Sequence, residues 1–460
     1  MGTIEGLIAA LGEIAVETQP QKVRRRSRDF YWYSPILKRR LDHVTADLVI
    51  TPANEAEVIA AVRACHAHEV PLTVRGGGTG NYGQAMPLEG GAVLDLSEMN
   101  RVEEISLGRV RAQAGALISD IDGICQKHSG QELRLHPSTH KTGTIGGYIA
   151  GGSSGVGSIT WGLLRDRGNI LEARVITMEE EPRILELRGA DIQKINHAYG
   201  TNGIITELAM PLAPAYRWCD LFLVFDDFMT SVRFADALSR EDAILKKLVT
   251  PLAAPIGHDW LRPDLIAEGG HAVALMIADI AMDAFRDFLS RWPAEIVYER
   301  FAEDRLSSEL PIFEYTWNHT TLHALRHDRT VTYLQTLFPA PDHVAKVEQM
   351  YRHFGDECPL HLEFVRFSGQ IACFGLQIVR YTSDERLHAI IDHLNENGCP
   401  VFNPHACTLE EGGMKKVDPV QLEFKKEADP KGLLNPGKMI GWDNPDFDES
   451  GDRKFLYEEH

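Results

Sequence analysis

Two kinds of residue in this chain have the types and spacing for chemistry: glycines in dense runs, and histidines near carboxylates. The first run, PLTVRGGGTGNYGQAMP, spans Pro71 to Pro87 and contains GTGNYG, a literal GxGxxG. A dinucleotide turn of the βαβ type needs that string to follow a strand and open a helix. Here QAMPLEGG follows, and Pro87, Gly90 and Gly91 preclude a helix, so the βαβ reading fails on context. The physical need persists. Gly76, Gly77, Gly78 and Gly80 can expose consecutive N–H groups as a nest for a diphosphate, without a helix dipole. Arg75 beside them either adds charge or pairs with a core acid. A second run, HPSTHKTGTIGGYIAGGSSGVGS at 136–158, is equally bare. Two such stretches bounded by strands imply two backbone approaches to one long ligand, an extended dinucleotide.

The histidines offer acid–base chemistry. YTWNHTTLHALRHD (315–328) sets His319 and His323 four apart on one helix face, the HExxH spacing with Thr320 where the glutamate would stand; a structural pair is the expectation. HLEFVRFSG (361–369) alternates as a strand, with His361, Glu363 and Val365 sharing a face. Arg366 and Arg380 have planar forks that suit a carboxylate, although ordinary surface pairing is expected of them. Near the N-terminus, the aromatic knot Phe30–Tyr33 lies between basic clusters at 22–28 and 38–40. It reads as a charged arm whose aromatics pack on the core, with Tyr31 or Tyr33 over a pocket as the sharper alternative and a membrane-surface role as a third.

These residues need elements to hold them. LVITP is a strand, and Asn54 with Glu57 makes a capping box that opens a helix to about Glu69. VPLTV leads into the first glycine loop, and AVLDL, RVRAQA, ILEARVIT and GIITELAMPLAP supply further short strands. This order is α+β rather than the regular alternation of a doubly wound sheet. Past Pro214, strands and helices alternate as in a ferredoxin-like unit with an antiparallel sheet. The divisions expected are an arm at 1–45, a ligand-binding domain at 46–214, a cap at 215–400, a return at 401–445 and a polar tail at 446–460. The chain of 460 residues carries 47 Lys and Arg against 66 Asp and Glu, which argues against a nucleic-acid binder. It has no apolar run long enough to span a bilayer. Its 7 scattered cysteines never form CxxC, which fits a reduced cytoplasmic compartment.

From about 46 to 214 the chain resembles the FAD-binding domain of the vanillyl-alcohol oxidase / p-cresol methylhydroxylase (PCMH) family. The likeness runs in order: TPANEAEVIAAV as the opening helix, PLTVRGGGTG as the first pyrophosphate loop, and HPSTHKTGTIGGYIAGGSSG as the flavin loop. WGLLRDRGNILEARVIT, YGTNGIITELAMPL and DPKGLLNPGKMI complete it, the last as the return to the FAD domain. The resemblance implies a PCMH-type FAD-binding domain of two α/β subdomains plus the cap. It implies FAD contacts from Arg75, Gly76, Gly77, Gly78, Thr79, Gly80 and Asn81 in the first loop. From the second it implies Pro137, Ser138, Thr144, Ile145, Gly146, Gly147, Gly152, Ser153, Ser154 and Gly155, and beyond it Gly203, Ile204, Ile205 and Asn435. Positions where relatives carry a covalent His or Cys are Thr79 and the Gly143–Thr144 region, so non-covalent FAD is implied; a tether through His405, Cys407 or a tyrosine is the alternative.

The activity implied is hydride transfer from a small alcohol or 2-hydroxy acid to flavin, with a base for the departing proton. His405, in NPHACTLEEGG, lies where FAD-linked D-2-hydroxyacid dehydrogenases of the family carry a Glu-His motif, although their Gly-Glu-His-Gly string is absent. His405 is the leading base, Glu410 its partner, and Tyr33 and His361 further candidates; no metal is expected. Electrons would pass to oxygen, a quinone or a protein acceptor, and homo-oligomerisation is left open. The alternatives are an oxidase of phenols or amines, should Tyr31, Trp32, Tyr33, Trp317 and Phe402 line the pocket, and a flavin subunit of an electron-transfer complex.

Overall fold

Four short strands rich in β-branched and small apolar residues begin the architecture. In the computed structural model, which describes residues 4–412, 418–444 and 446, they form a sheet in the order Ala15–Glu17, Leu48–Thr51, Ala92–Asp95, Leu72–Arg75. The last three run parallel. The helix Glu55–His68 makes the crossover from Leu48–Thr51 to Leu72–Arg75, the two strands that flank Ala92–Asp95. Asn54 Oδ1 accepts from Glu57 N at 3.0 Å and Glu57 Oε2 from Ala53 N at 2.9 Å, which satisfies two donors at the helix start. The return segment extends this sheet: Leu72 N donates to Leu433 O and Asn435 N to Leu72 O.

A second, antiparallel sheet runs Val102–Ser106, Arg109–Gln113, Ile204–Pro214, Glu172–Ile176, Ile184–Arg188, with Gln131–Leu133 on the far end of the long central strand. Its inner face and the first sheet share one apolar core through Val110, Ile145, Val175 and Leu208. The two sheets are the two halves of one domain, and both glycine runs leave from their strand ends.

The cap repeats the β-α-β-β-α-β order of a ferredoxin-like unit. Its antiparallel sheet reads Lys246–Leu252, His271–Ala278, Trp218–Phe225, Glu295–Phe301, backed by helices Phe228–Arg240 and Met282–Leu289. That unit closes at Phe301. Residues 331–396 add a two-stranded and a three-stranded sheet with helices His343–Phe354 and Asp384–Glu396. The expected 446–460 tail, apart from Asp446, lies outside the described residues.

Candidate active site

Gly76 and Gly77 bring the first loop against the second. A Cβ on Gly77 would sit 2.1 Å from Thr142 O, and one on Gly76 2.0 Å from Thr144 Oγ1. Side chains there would push the loops apart, so glycine is needed for the approach itself. Gly78 adds a φ of +63°, open to glycine at little cost. No helix follows this loop. The second run does form one, Ile145–Gly151, despite three glycines. Its Gly146 packs so tightly on Ala114 that a Cβ would meet the Ala114 Cβ at 2.6 Å, a tertiary contact that overrides propensity.

Between the loops runs a cleft walled by Gly76–Gly80, Thr144, Gly146, Gly147, Gly203 and Ile205. Ala114, Ala198 and Asn202 complete its floor. It opens into a larger chamber bounded by Tyr33, Asn81, Pro137, Ser138, Ser153 and Ser154 on one side and by the cap on the other. An inner chamber, reaching Gly152, continues from it.

Some predicted residues stand behind these walls. Arg75 is buried with Nη1 on Arg28 O (2.5 Å), burial lowers its pKa, and it ties the arm to the loop. Ile145 and Ile204 are core. Gly155 lets the chain pass His136 O, which a Cβ would approach to 2.2 Å. Asn435 Nδ2 donates to Gln84 O (2.7 Å) and Tyr199 O (2.6 Å), clamping two wall segments together.

The leading histidine is likewise behind the walls. His405 is buried, with Nδ1 2.7 Å from Ser34 Oγ and Nε2 3.0 Å from Tyr333 O, and burial pushes its pKa down to about 4. Glu410 accepts from Ile440 N and Gly441 N, both at 2.9 Å. His361 Nε2 lies 2.8 Å from Glu363 Oε1 in the cap interior. None of the three lines the cleft or its chambers. Tyr33 does, and burial raises its phenol pKa, so it presents an O–H. Arg366 and Arg380 pair with Asp242 and Asp328 at the surface.

The cap brings another histidine to the large chamber. His319, in the first turn of helix Asn318–His327, lines it with Glu314, Asn318 and Arg326. Its Nδ1 is 2.7 Å from Glu314 Oε2, and Nε2 has no partner among the described residues. Burial would raise the Glu314 carboxyl, but the hydrogen bond and charge of His319 outweigh it and hold it below the ordinary value. His323 instead bonds Glu314 O at 3.0 Å, with its pKa pushed down to about 4 by burial. The sequence pairs His319 with His323; the useful partner is Glu314, five residues back across a turn, a spacing no helix periodicity signals.

The cradle fits FAD. Bare backbone from two loops meets along one cleft, and Tyr148 Oη, whose residue lines the large chamber, and Tyr199 Oη, whose residue lines the cleft, are buried without hydrogen-bond partners. The loop backbones at Gly76–Gly80 and Ser138–Gly147 would hold its diphosphate.

Residues 46–185 match the FAD binding domain family. The chain is similar to FAD-linked oxidoreductases with a PCMH-type FAD-binding domain, and FAD is its cofactor. Among its relatives are a D-lactate dehydrogenase of Anaerostipes hadrus, 24% identical over 85% of this chain and 89% of that protein. A D-lactate dehydrogenase of Archaeoglobus fulgidus is 31% identical over 37% of this chain and 39% of its own length. The glycolate oxidase subunit GlcD of Bacillus subtilis is 32% identical over 36% and 37%. With the last two the chain therefore matches well under half of the relative's length. An alkyldihydroxyacetonephosphate synthase structure shares the fold, with TM-score 0.72 and 17% identity over 95% of this chain and 86% of that one.

Proposed function

We propose that the protein oxidises the alcohol carbon of a 2-hydroxy acid, with His319 taking the hydroxyl proton. The His319–Glu314 pair on the wall of the chamber that also carries the second glycine loop is the observation behind this reading. FAD, when bound, supplies the acceptor for the hydride. Glu314 accepts the Nδ1–H of His319, which fixes the tautomer and leaves the Nε2 lone pair for the substrate O–H. The carboxylate then stabilises the imidazolium that forms. Lys141 and Arg326 line the same chamber and are cations suited to the substrate carboxylate. Relatives named D-lactate dehydrogenase and glycolate oxidase subunit agree with a hydroxy-acid substrate. Non-covalent FAD is supported by Thr79 in the first loop and by His405 and Cys407 lying off the cleft. Seven free, buried cysteines support a cytoplasmic location.

The test is anaerobic bleaching of the bound flavin by a panel of D- and L-2-hydroxy acids, with wild type and His319→Gln. Loss of the base should slow reduction by about 10²–10⁴-fold while flavin content stays the same. An H319Q protein that bleaches at the wild-type rate would remove His319 from the chemistry, and a wild type bleached by no member of the panel would remove the substrate class.

A further inference from the structure

Next to the chamber of His319, the inner chamber has a different character. Its walls carry Trp317, Phe374, Leu376 and Phe402, with Phe374 and Phe402 edge to face at 5.7 Å. The polar groups that join them are neutral amides, hydroxyls and the His197 imidazole; no Lys, Arg, Asp or Glu lines it among the described residues. The cations Lys141 and Arg326 are confined to the larger chamber. A carboxylate seated in the inner chamber would lose its hydration with no opposite charge in return, whereas an apolar group would gain from burial.

The backbone at this chamber is held under strain. Six described non-glycine residues have positive φ, and three of them, His197, Tyr199 and Trp317, line it. Such outliers persist only where the surroundings over-determine them, and they gather at ligand clamps. Trp317 is the clearest, at φ 50° and ψ −143°. Its N–H donates to the fully buried Glu363 Oε1 at 2.6 Å. Glu363 also accepts from Thr250 Oγ1 at 2.5 Å and lies 2.8 Å from His361 Nε2. A buried carboxylate thus holds the backbone N–H of a chamber-lining residue. Tyr199 Oη, Trp317 Nε1 and Asn318 Oδ1, all of chamber-lining residues, have no hydrogen-bond partners.

Resting on the hydroxy-acid reading above, we propose that the inner chamber receives an uncharged, ring-sized body of the substrate, and that Trp317 is its specificity-determining wall, held in place by Glu363 as a positioning residue. The substrate is then an aryl- or long-alkyl-bearing 2-hydroxy acid rather than lactate or glycolate. The acid end lies toward Lys141 and Arg326, and the apolar body lies against Trp317 and Phe402.

The first measurement needs no turnover: binding of 3-phenylpropionate and of propionate to the FAD-loaded protein, read as the perturbation of the flavin absorbance. Phenylpropionate should bind about 10–100-fold more tightly, and Trp317→Ala should abolish most of that ratio. The second is turnover with 3-phenyllactate and lactate, where kcat/KM should favour the aryl acid by a similar factor. Glu363→Gln separates positioning from stability. Its Oε1 can still accept from Trp317 N and His361, and its Nε2 can donate to a turned Thr250 hydroxyl, so the aryl preference should survive. Glu363→Ala should lose the preference through a raised KM for the aryl acid. Equal binding of the two propionates, or an aryl preference untouched in both W317A and E363A, overturns the inference. Tight phenylpropionate binding without flavin reduction by any hydroxy acid would leave the chamber standing and sink the hydroxy-acid reading instead.

Discussion

Replacing His405 by glutamine decides which histidine does chemistry and which holds the fold. Tyr333 O can only accept, so Nε2 of His405 carries the proton and Nδ1 accepts from the Ser34 hydroxyl. Ser34 Oγ in turn accepts from Leu37 N at 3.0 Å as the cap of helix Pro35–Leu41. A second proton on His405 would collide with the Ser34 O–H and carry charge into a buried site. Burial accordingly pushes the pKa from 6.5 down to about 4. The sign follows: the unfolded chain binds the proton first as pH falls, so this stability is intact above the unfolded value of about 6.5 and is lost as pH drops toward about 4. Across the whole window the shift corresponds to about 3 kcal/mol, and at about pH 5 some 2 kcal/mol of it is gone. Urea unfolding at about pH 7.5 and about pH 5 should therefore show wild type losing roughly 2 kcal/mol more than His405→Gln between the two conditions. At the higher pH, H405Q should be less stable by about 1–3 kcal/mol because Ser34 and Tyr333 O lose well-placed partners. Flavin content and the rate of flavin reduction should follow wild type. An H405Q protein with unchanged stability and pH slope but lost flavin reduction would refute this reasoning and return His405 to the catalytic role its sequence position suggests.

Two further outcomes follow from packing. Gly77→Ala should yield protein depleted in FAD by absorbance ratio, because its Cβ would sit 2.1 Å from a backbone oxygen of the second loop. Gly123→Ala, in the helix Ile118–Ser129 with nothing within 4 Å, is the control: it should keep FAD and gain about 0.5–1 kcal/mol. Lys425→Met should cost about 3–5 kcal/mol in urea unfolding, since it strands the buried Asp429 that Lys425 Nζ meets at 2.5 Å. The same variant frees Thr201 O and Leu434 O, each held by that ammonium at 3.0 Å, so its FAD should also dissociate more readily.

What the sequence discloses and what it hides divide by the range of the interaction. The capping box at Asn54 and Glu57, the strand–loop context that rejects a βαβ turn, and the strand–helix order of the cap are all written within a dozen neighbouring residues, and each is legible. So are the glycines, because a backbone approach leaves a compositional mark even when its target lies far along the chain. The proposed acid–base group leaves no such mark. His319 reads as half of a structural pair until the turn Ile312–Tyr315 folds Glu314 back against it and cap docking carries both to the chamber. Conversely, His405 has a suggestive neighbourhood in sequence, but its two ring nitrogens are consumed by Ser34 and Tyr333, 371 and 72 positions away. A histidine is available for proton transfer only if one nitrogen stays unclaimed beside a cavity. That condition depends on residues remote in sequence, so here it favours His319, for which no local motif speaks.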